Sequence, residues 1–306
     1  MSTERNEMKN TVFIGSVISS RIALETLIEQ GIRIDLVCSL DEEAAGNVSD
    51  YYPLHRIAEK FQLPCMKFRK INAEDVIQRI RAAEPDFIFV IGLSQIITSE
   101  ILNMAKEYVI GFHPTPLPKY RGRAALPWMI LMGEKKLKVT LLKLDEGMDS
   151  GDIICQYPYE IEDSDYAADV YDKVCEAMRQ ALIQCLPTVY DGSAKFLPQK
   201  EEEATYLLIR RPEDGRIEWK QSAEEIARLV RAASRPYPGA FTNYQDEKLV
   251  IWKAHALENW KYTGLPGQIA WLNDIGEIGV VTGEGMLVIT EYEYQGKKLT
   301  VGHKFL

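Results

Sequence analysis

Two side chains stand out for chemistry, His113 and Asp149, set 36 residues apart. His113 opens a turn with three prolines in the next five residues, HPTPLP. Asp149 lies in an acidic, glycine-broken turn, Asp145-Glu146-Gly147-Met148-Asp149-Ser150-Gly151-Asp152. An imidazole can take a proton while a carboxylate fixes its tautomer and steadies the cation that forms. Neither group is a strong nucleophile, and no G-x-S-x-G elbow or reactive cysteine setting accompanies them. That pattern suits transfer chemistry in which the substrate brings its own nucleophile. Each residue also has a purely structural reading: a histidine among turn prolines, and a solvated acidic turn without the ligand spacing of a calcium loop. Between them lies a basic patch, Lys119-Tyr120-Arg121-Gly122-Arg123. Such a patch could hold one small anionic ligand, or else it is a solvated loop.

The elements around this pair must hold it. Thr11 to Gly15 reads as a buried first strand, Ser16 to Ser20 as a turn, and Arg21 to Gln30 as an amphipathic helix closed by Gly31. Ile34 to Leu40 is a second strand, so the chain opens β-α-β, as a doubly wound sheet does. The Gly15-Ser16 turn is a candidate anion cradle at a helix N-terminus, although it is no full G-x-G-x-x-G fingerprint. Alternation continues through a helix at 54–61, a strand at 64–68, a helix at 73–83 and the apolar strand DFIFVIG, residues 86–92. A loop, Leu93-Ser94-Gln95-Ile96-Ile97, follows, then a helix at 99–105. In a parallel sheet ligands sit at the carboxyl ends of strands. The strand before His113 and the strand at 139–144 before the acidic turn are therefore expected to frame one site.

A long helix is expected over 166–190, with Val170, Val174, Ala177, Met178, Ala181, Leu182 and Cys185 on one face as core contact. The glutamate-rich stretch 199–205 reads as a linker between a catalytic domain, 1–198, and a smaller β-rich domain, 206–306. That second region carries a helix at 223–233 and short strands at 249–254, 267–271, 278–282 and 286–292, the pattern of a small barrel or sandwich.

Composition narrows the classes. At 306 residues, 46% hydrophobic and 26% charged, the chain reads as an ordinary globular protein, and its polar start, MSTERNEMKN, lacks a secretory core. A cytoplasmic enzyme without membrane spans is the expectation. Five cysteines in unpaired spacing read as small core hydrophobes, with no metal site implied. The formal charge of −9, and a balance of 13 Lys/Arg against 13 Asp/Glu over 204–306, argue against a broad polyanion partner.

Over nearly its whole length the chain resembles the folate-dependent formyltransferases, which include methionyl-tRNA formyltransferase, glycinamide ribonucleotide transformylase and the amino-sugar N-formyltransferases. HPTPLPKYRGRAALPW is similar to the family's H-x-S-L-L-P-x-(Y/F/W)-(R/K)-G block. The step from His113 to the aspartate of DEGMDSGDI matches the family's His-to-Asp step, and Gly92, 21 residues before His113, matches its folate-loop glycine. ASRPYPGAFT resembles the C-terminal domain of the tRNA and sugar branches, which implies an α/β, Rossmann-like catalytic domain with an OB-like partner domain.

The resemblance implies transfer of a formyl group from 10-formyltetrahydrofolate, a co-substrate, to a primary amine. His113 would act as base or oxyanion support and Asp149 would orient it. The loop Gly92, Leu93, Ser94, Gln95 and Ile97 and the turn Asp145, Glu146 and Gly147 would line the pterin pocket. Thr115, Lys119, Tyr120, Arg121 and Arg123 would meet the acceptor. YRGRA and RRPEDGRIEW look most like the branch acting on nucleotide-linked 4-amino-4,6-dideoxy sugars in polysaccharide biosynthesis, with a homodimer by analogy. Methionyl-tRNA is the rival acceptor. The family keeps an asparagine two residues before its histidine, where this chain has Gly111. A stand-in donor is expected, with Ser94, Gln95 and Thr115 as candidates, or else the protein binds folate without turning it over. If only a donor was lost, Gly111→Asn preserves or raises activity; a collapse marks a loop that needs glycine.

Overall fold

The computed structural model describes residues 9–46, 48–257 and 260–306; the polar start of the chain lies outside them. Two compact units emerge. The first comprises the chain up to Gly122, Lys136–Glu160 and Lys173–Leu207; the second comprises Arg123–Lys135, Ile161–Asp172 and Leu208–Leu306.

In chain order the first unit runs β1 (Thr11–Gly15), α1 (Ile18–Glu29), β2 (Leu36–Leu40), α2 (His55–Phe61), β3 (Cys65–Phe68), α3 (Glu74–Ala82), β4 (Phe87–Val90), α4 (Ser99–Leu102), β5 (Tyr108–His113) and β6 (Arg121–Gly122). After α5 (Ala125–Met132) come β7 (Lys136–Lys143), β8 (Ile153–Glu160), α6 (Ala167–Tyr190), which belongs to the first unit from Lys173 onward, and β9 (Tyr206–Leu207). β1 and β2 are buried at every residue, as strands covered on both faces must be.

Seven strands form one sheet in the order β3-β2-β1-β4-β5-β7-β8. The five from β3 to β5 are parallel. The chain winds outward from β1 through β2 to β3 and then returns to β4 on the other side of β1. The crevice beyond the carboxyl ends of β1 and β4 is thus the topological switch point. Along α6 the expected stripe is buried throughout, from Val170 at 0% to Cys185 at 5% exposed.

Three expectations need correction. First, β7 runs antiparallel to β5, with Ile110 opposite Lys143 and His113 opposite Thr140. The carboxyl ends of those two strands therefore point opposite ways, and only the turn beyond Lys143 returns Asp149 to His113. Second, an unexpected strand, β8, closes the sheet antiparallel to β7. Its sequence, IICQYPYE, carries a proline and lacks alternation, which an edge strand tolerates. Third, α1 begins at Ile18, so Ser19 and Ser20 are its first turn rather than a loop. Of the five free cysteines, Cys38, Cys175 and Cys185 are buried, but Cys65 is exposed on the outer strand β3.

The second unit holds α5, α7 (Ala223–Ala233), β10 (Ala240–Tyr244), β11 (Glu247–Leu257), β12 (Ile269–Leu272), β13 (Ile278–Val281) and β14 (Met286–Glu293). Its sheet is antiparallel, in the order β10-β11-β14-β13-β12. α7 starts with a capping box, in which Ser222 Oγ accepts from Glu225 N while Glu225 Oε2 accepts from Ser222 N. Ile226, Val230, Ile251, Ile278 and Ile289 lie in its core.

Candidate functional site

β5 ends on His113, which is 5% exposed. The ring sits between two oxygens. Its Nε2 lies 2.8 Å from the carbonyl of Tyr120 and donates to it, which leaves Nδ1 facing Asp149 Oδ2 at 3.6 Å. A doubly protonated ring would have an acceptor at each nitrogen. Asp149 is fixed in turn, since its Oδ2 accepts from Gly122 N at 2.8 Å. Tyr120 and Asp149 both have left-handed backbone, at φ 64° and 51°. For a tyrosine this is an outlier, held only because neighbours over-determine it. Tyr120 N donates to Thr205 Oγ1 at 2.8 Å, and its carbonyl also accepts from Thr115 Oγ1 at 3.2 Å.

The proline loop after His113 is pinned from β7 and from β8, the strand that sequence reading missed. Thr140 Oγ1 donates to Thr115 O at 2.7 Å, Gln156 Nε2 donates to Leu117 O at 2.9 Å, and Tyr159 OH donates to Pro114 O at 2.8 Å. These residues carried no motif, because their role exists only once β7 pairs with β5 and β8 with β7.

At the switch point, loops after β1 and β4 are stitched together. Ser16 Oγ donates to Gly92 O and Ser20 Oγ to Ile91 O. Gly92 has φ 67°, and a Cβ there would lie 2.2 Å from Val17 Cγ2, so only glycine fits. The expected anion cradle at Gly15-Ser16 is not open. Ser20 Oγ already accepts from Ser16 N and Val17 N, and Ile18 N donates to Asp50 O. Leu93 and Ile97 pack against the core, while Ser94 stays exposed. Gln95 braces the loop, accepting from Ile71 N and donating to Arg69 O. In the acidic turn the Asp145 carboxylate accepts from Gly147 N and Ser150 Oγ, and Glu146 and Gly147 are exposed.

Two expected roles change here. Thr115, 0% exposed, has its hydroxyl committed to Lys119 O and Tyr120 O, and Gln95 is committed to its loop. Of the three stand-in donors only Ser94 is exposed. Arg121, expected at the acceptor, is 1% exposed. Its Nη1 donates to Glu201 and to Tyr206 OH, and its Nε and Nη2 donate to Gln199 Oε1. Pairing with Glu201 and Tyr206 outweighs desolvation and raises the guanidinium pKa, while Arg121 holds the exposed Glu201 carboxyl below its usual range. Lys119 is exposed, and Arg123 is exposed within the second unit. Among the described residues no cluster of His, Cys, Asp and Glu could hold a metal ion, and no helix is long and apolar enough to cross a membrane.

Comparison with known proteins follows the same lines. Residues 12–186 match the family described as formyl transferase, and residues 210–306 match formyl transferase, C-terminal domain. The methionyl-tRNA formyltransferase of Alkaliphilus oremlandii (strain OhILAs) is 31% identical over 291 residues, which are 94% of this chain and 92% of that protein. HypX from Aquifex aeolicus, solved with tetrahydrofolic acid, superposes with a TM-score of 0.67 at 22% identity. That alignment covers 95% of this chain but 45% of HypX, so the chain spans less than half of that protein. An N-formyltransferase from Helicobacter canadensis, solved with folinic acid and dTDP-3-aminofucose, gives a TM-score of 0.66 at 17% identity, covering 94% of this chain and all of its own. At those identities the structural likenesses speak for the fold.

Proposed function

The chain belongs to the formyl transferase family, and from that premise we propose that it moves a formyl group from 10-formyltetrahydrofolate to the primary amine of a nucleotide-linked amino sugar, a 4-amino-4,6-dideoxyhexose. The observation that carries the transfer chemistry is the pairing, at 3.6 Å, of the buried His113 with the half-buried Asp149. The amine adds to the formyl carbon, the bond from that carbon to the folate nitrogen breaks with its electron pair left on the nitrogen, and a proton passes from the amine to that nitrogen. His113 is the group that takes or relays it, and Asp149 stands beside Nδ1 to balance the resulting cation. Nε2 is committed to the Tyr120 carbonyl, so turnover requires the ring to exchange that partner for substrate.

The residues present fit a flat folate ring. Leu93 and Ile97 give an apolar backing, and Ser94, Glu146 and Gly147 leave polar groups exposed at the loop edges. The formyl-oxygen donor that the family places at position 111 is absent, and Ser94 is the replacement we favour.

For the acceptor, a formal charge of −9 and a C-terminal region with balanced charge favour a small anion over a tRNA. The Helicobacter canadensis likeness supports the amino-sugar class. Methionyl-tRNA is the second reading, favoured by the Alkaliphilus relative. Purified protein with 10-formyltetrahydrofolate is to be offered UDP- and dTDP-linked 3- and 4-amino sugars and initiator Met-tRNA, each acceptor being weighed for a formyl gain. A gain on a 4-amino sugar nucleotide alone supports the proposal, a gain on a 3-amino one keeps the acceptor class but replaces the sugar, and a gain on tRNA alone replaces the reading. No gain anywhere, with folate bound, points to a binding protein without turnover.

A further inference from the structure

The stretch 199–206 does more than connect. Gln199 is half-buried, and its amide is satisfied on both sides. Oε1 accepts from Arg121 Nε at 3.1 Å and Nη2 at 3.0 Å. Nε2 donates to two backbone carbonyls, Asp149 O and Gly151 O, each at 2.7 Å. The amide cannot be turned round, because its oxygen would then face two carbonyls and its NH2 would face a guanidinium. Asp149 presents its carbonyl to Gln199 while in left-handed backbone at φ 51°, a conformation that needs outside support.

The same stretch grips the other catalytic partner. Thr205 Oγ1 accepts from Tyr120 N and Thr205 O accepts from Arg121 N, both at 2.8 Å, so β9 runs parallel beside β6. Tyr120 supplies the carbonyl on His113 Nε2. One short segment therefore fixes Asp149 through Gln199 and His113 through Tyr120, with the buried Arg121 between them.

We propose that Gln199 is a positioning residue of the catalytic pair: held by Arg121, it clamps the backbone of Asp149 so that the carboxylate faces His113 Nδ1. The proposal rests on the formyl-transfer reading for its kinetic consequence but not for its geometry. The buried charge of Arg121 anchors the clamp, because a guanidinium 1% exposed must keep its partners.

Gln199→Glu separates the two halves of this role. A carboxylate still accepts from Arg121 but cannot donate to Asp149 O and Gly151 O, and it repels them. The chain has four histidines, so the ring nitrogens of His113 are resolvable by 15N NMR of histidine-labelled protein in the absence of any substrate. The expected result for Q199E is a folded protein with a lowered thermal midpoint, shifted His113 ring resonances and kcat down by about tenfold or more with KM little changed, on the scale of a mispositioned group. Gln199→Asn, which retains a donor one methylene short, should recover part of kcat. Wild-type resonances and kcat in Q199E would overturn the proposal. So would failure of both Q199E and Q199N to fold, which would make Gln199 a folding residue. If the wild type transfers no formyl group yet Q199E moves the His113 resonances, the clamp stands and the functional reading falls.

Discussion

The side chain of Leu144 stands where a side chain at Gly111 would have to be: a Cβ built on Gly111 lies 2.4 Å from Leu144 Cδ2 and 2.8 Å from Leu144 Cγ. Gly111 pairs with Val90 on one side and Leu142 on the other, so the backbone cannot give way. Position 111 has therefore not merely lost a donor, because its space is filled by a leucine that packs with Leu117, Leu142 and Ile153. Gly111→Asn alone is expected to destabilise by about 1–3 kcal/mol, the usual scale of overpacking. With Leu144→Ala beside it the asparagine has room, and stability and activity should both rise relative to G111N. A double-mutant cycle by denaturant unfolding checks this. Additive effects would mean that Leu144 moves aside freely.

His113→Ala should lower kcat by at least about 100-fold, the scale of a lost acid–base group. Asp149→Asn is the sharper test. An amide oxygen can still accept from Gly122 N, which keeps the turn, but no charge remains beside Nδ1. A fall on the order of 100-fold in kcat with an unchanged thermal midpoint is expected. A mild effect of D149N would show that the pair works without the carboxylate's charge.

The doubly wound half of the fold was legible because its strands are short apolar runs separated by helices of clear period. Thr11–Gly15 is read from sequence with its observed bounds, and the α6 stripe residue by residue. Direction was not legible. Nothing in KVTLLK distinguishes a strand that runs parallel to β5 from one that runs against it. β8 is an edge strand half-covered by neighbours, so it shows neither a continuous apolar run nor alternation. β10 hides behind the turn-rich SRPYPGAF. His113 and Asp149 were legible as types in turn chemistry. Gln199, Thr140 and Tyr159 were not, since each acts by a hydrogen bond to backbone far away in sequence. Arg121 misled for a physical reason: a guanidinium in a glycine-broken loop suits a phosphate, and the carboxylate that claims it is 80 residues later.

Alkaline pH should loosen the first unit. Burial, chiefly, pushes the Tyr108 and Tyr51 hydroxyls from the ordinary 10.0 to about 12, with Glu107 adding to the first and Glu42 to the second. Burial raises Tyr159 and Tyr190 as well. The native state thus holds these protons more tightly than the unfolded chain does. The resulting stability is fully present below pH 10 and is lost as pH rises towards about 12. Tyrosinate absorbance and far-UV circular dichroism should change together across that window. A smooth tyrosine titration at the ordinary value, with the fold retained, would contradict this burial.

The acidic turn depends on Gly151 for its return towards His113. A Cβ there would lie 1.7 Å from the carbonyl oxygen of Lys143 and 2.9 Å from its carbon, both backbone atoms of the strand that carries the turn. Lys143 N also donates to Asp152 O at 2.9 Å, so the two segments are tied at the point of closest approach. Relief by rotation is unavailable, and the turn must shift as a body, taking with it the Asp149 and Gly151 carbonyls that Gln199 holds. Gly151→Ala is expected to cost about 3 kcal/mol or more and to reduce turnover beyond what the lost stability explains. Gly46→Ala, which meets no atom within 4 Å, is the control and should stay within about 0.5 kcal/mol. Chemical denaturation of both variants checks the difference. Equal stabilities would show that the turn at 145–152 is not held against Lys143.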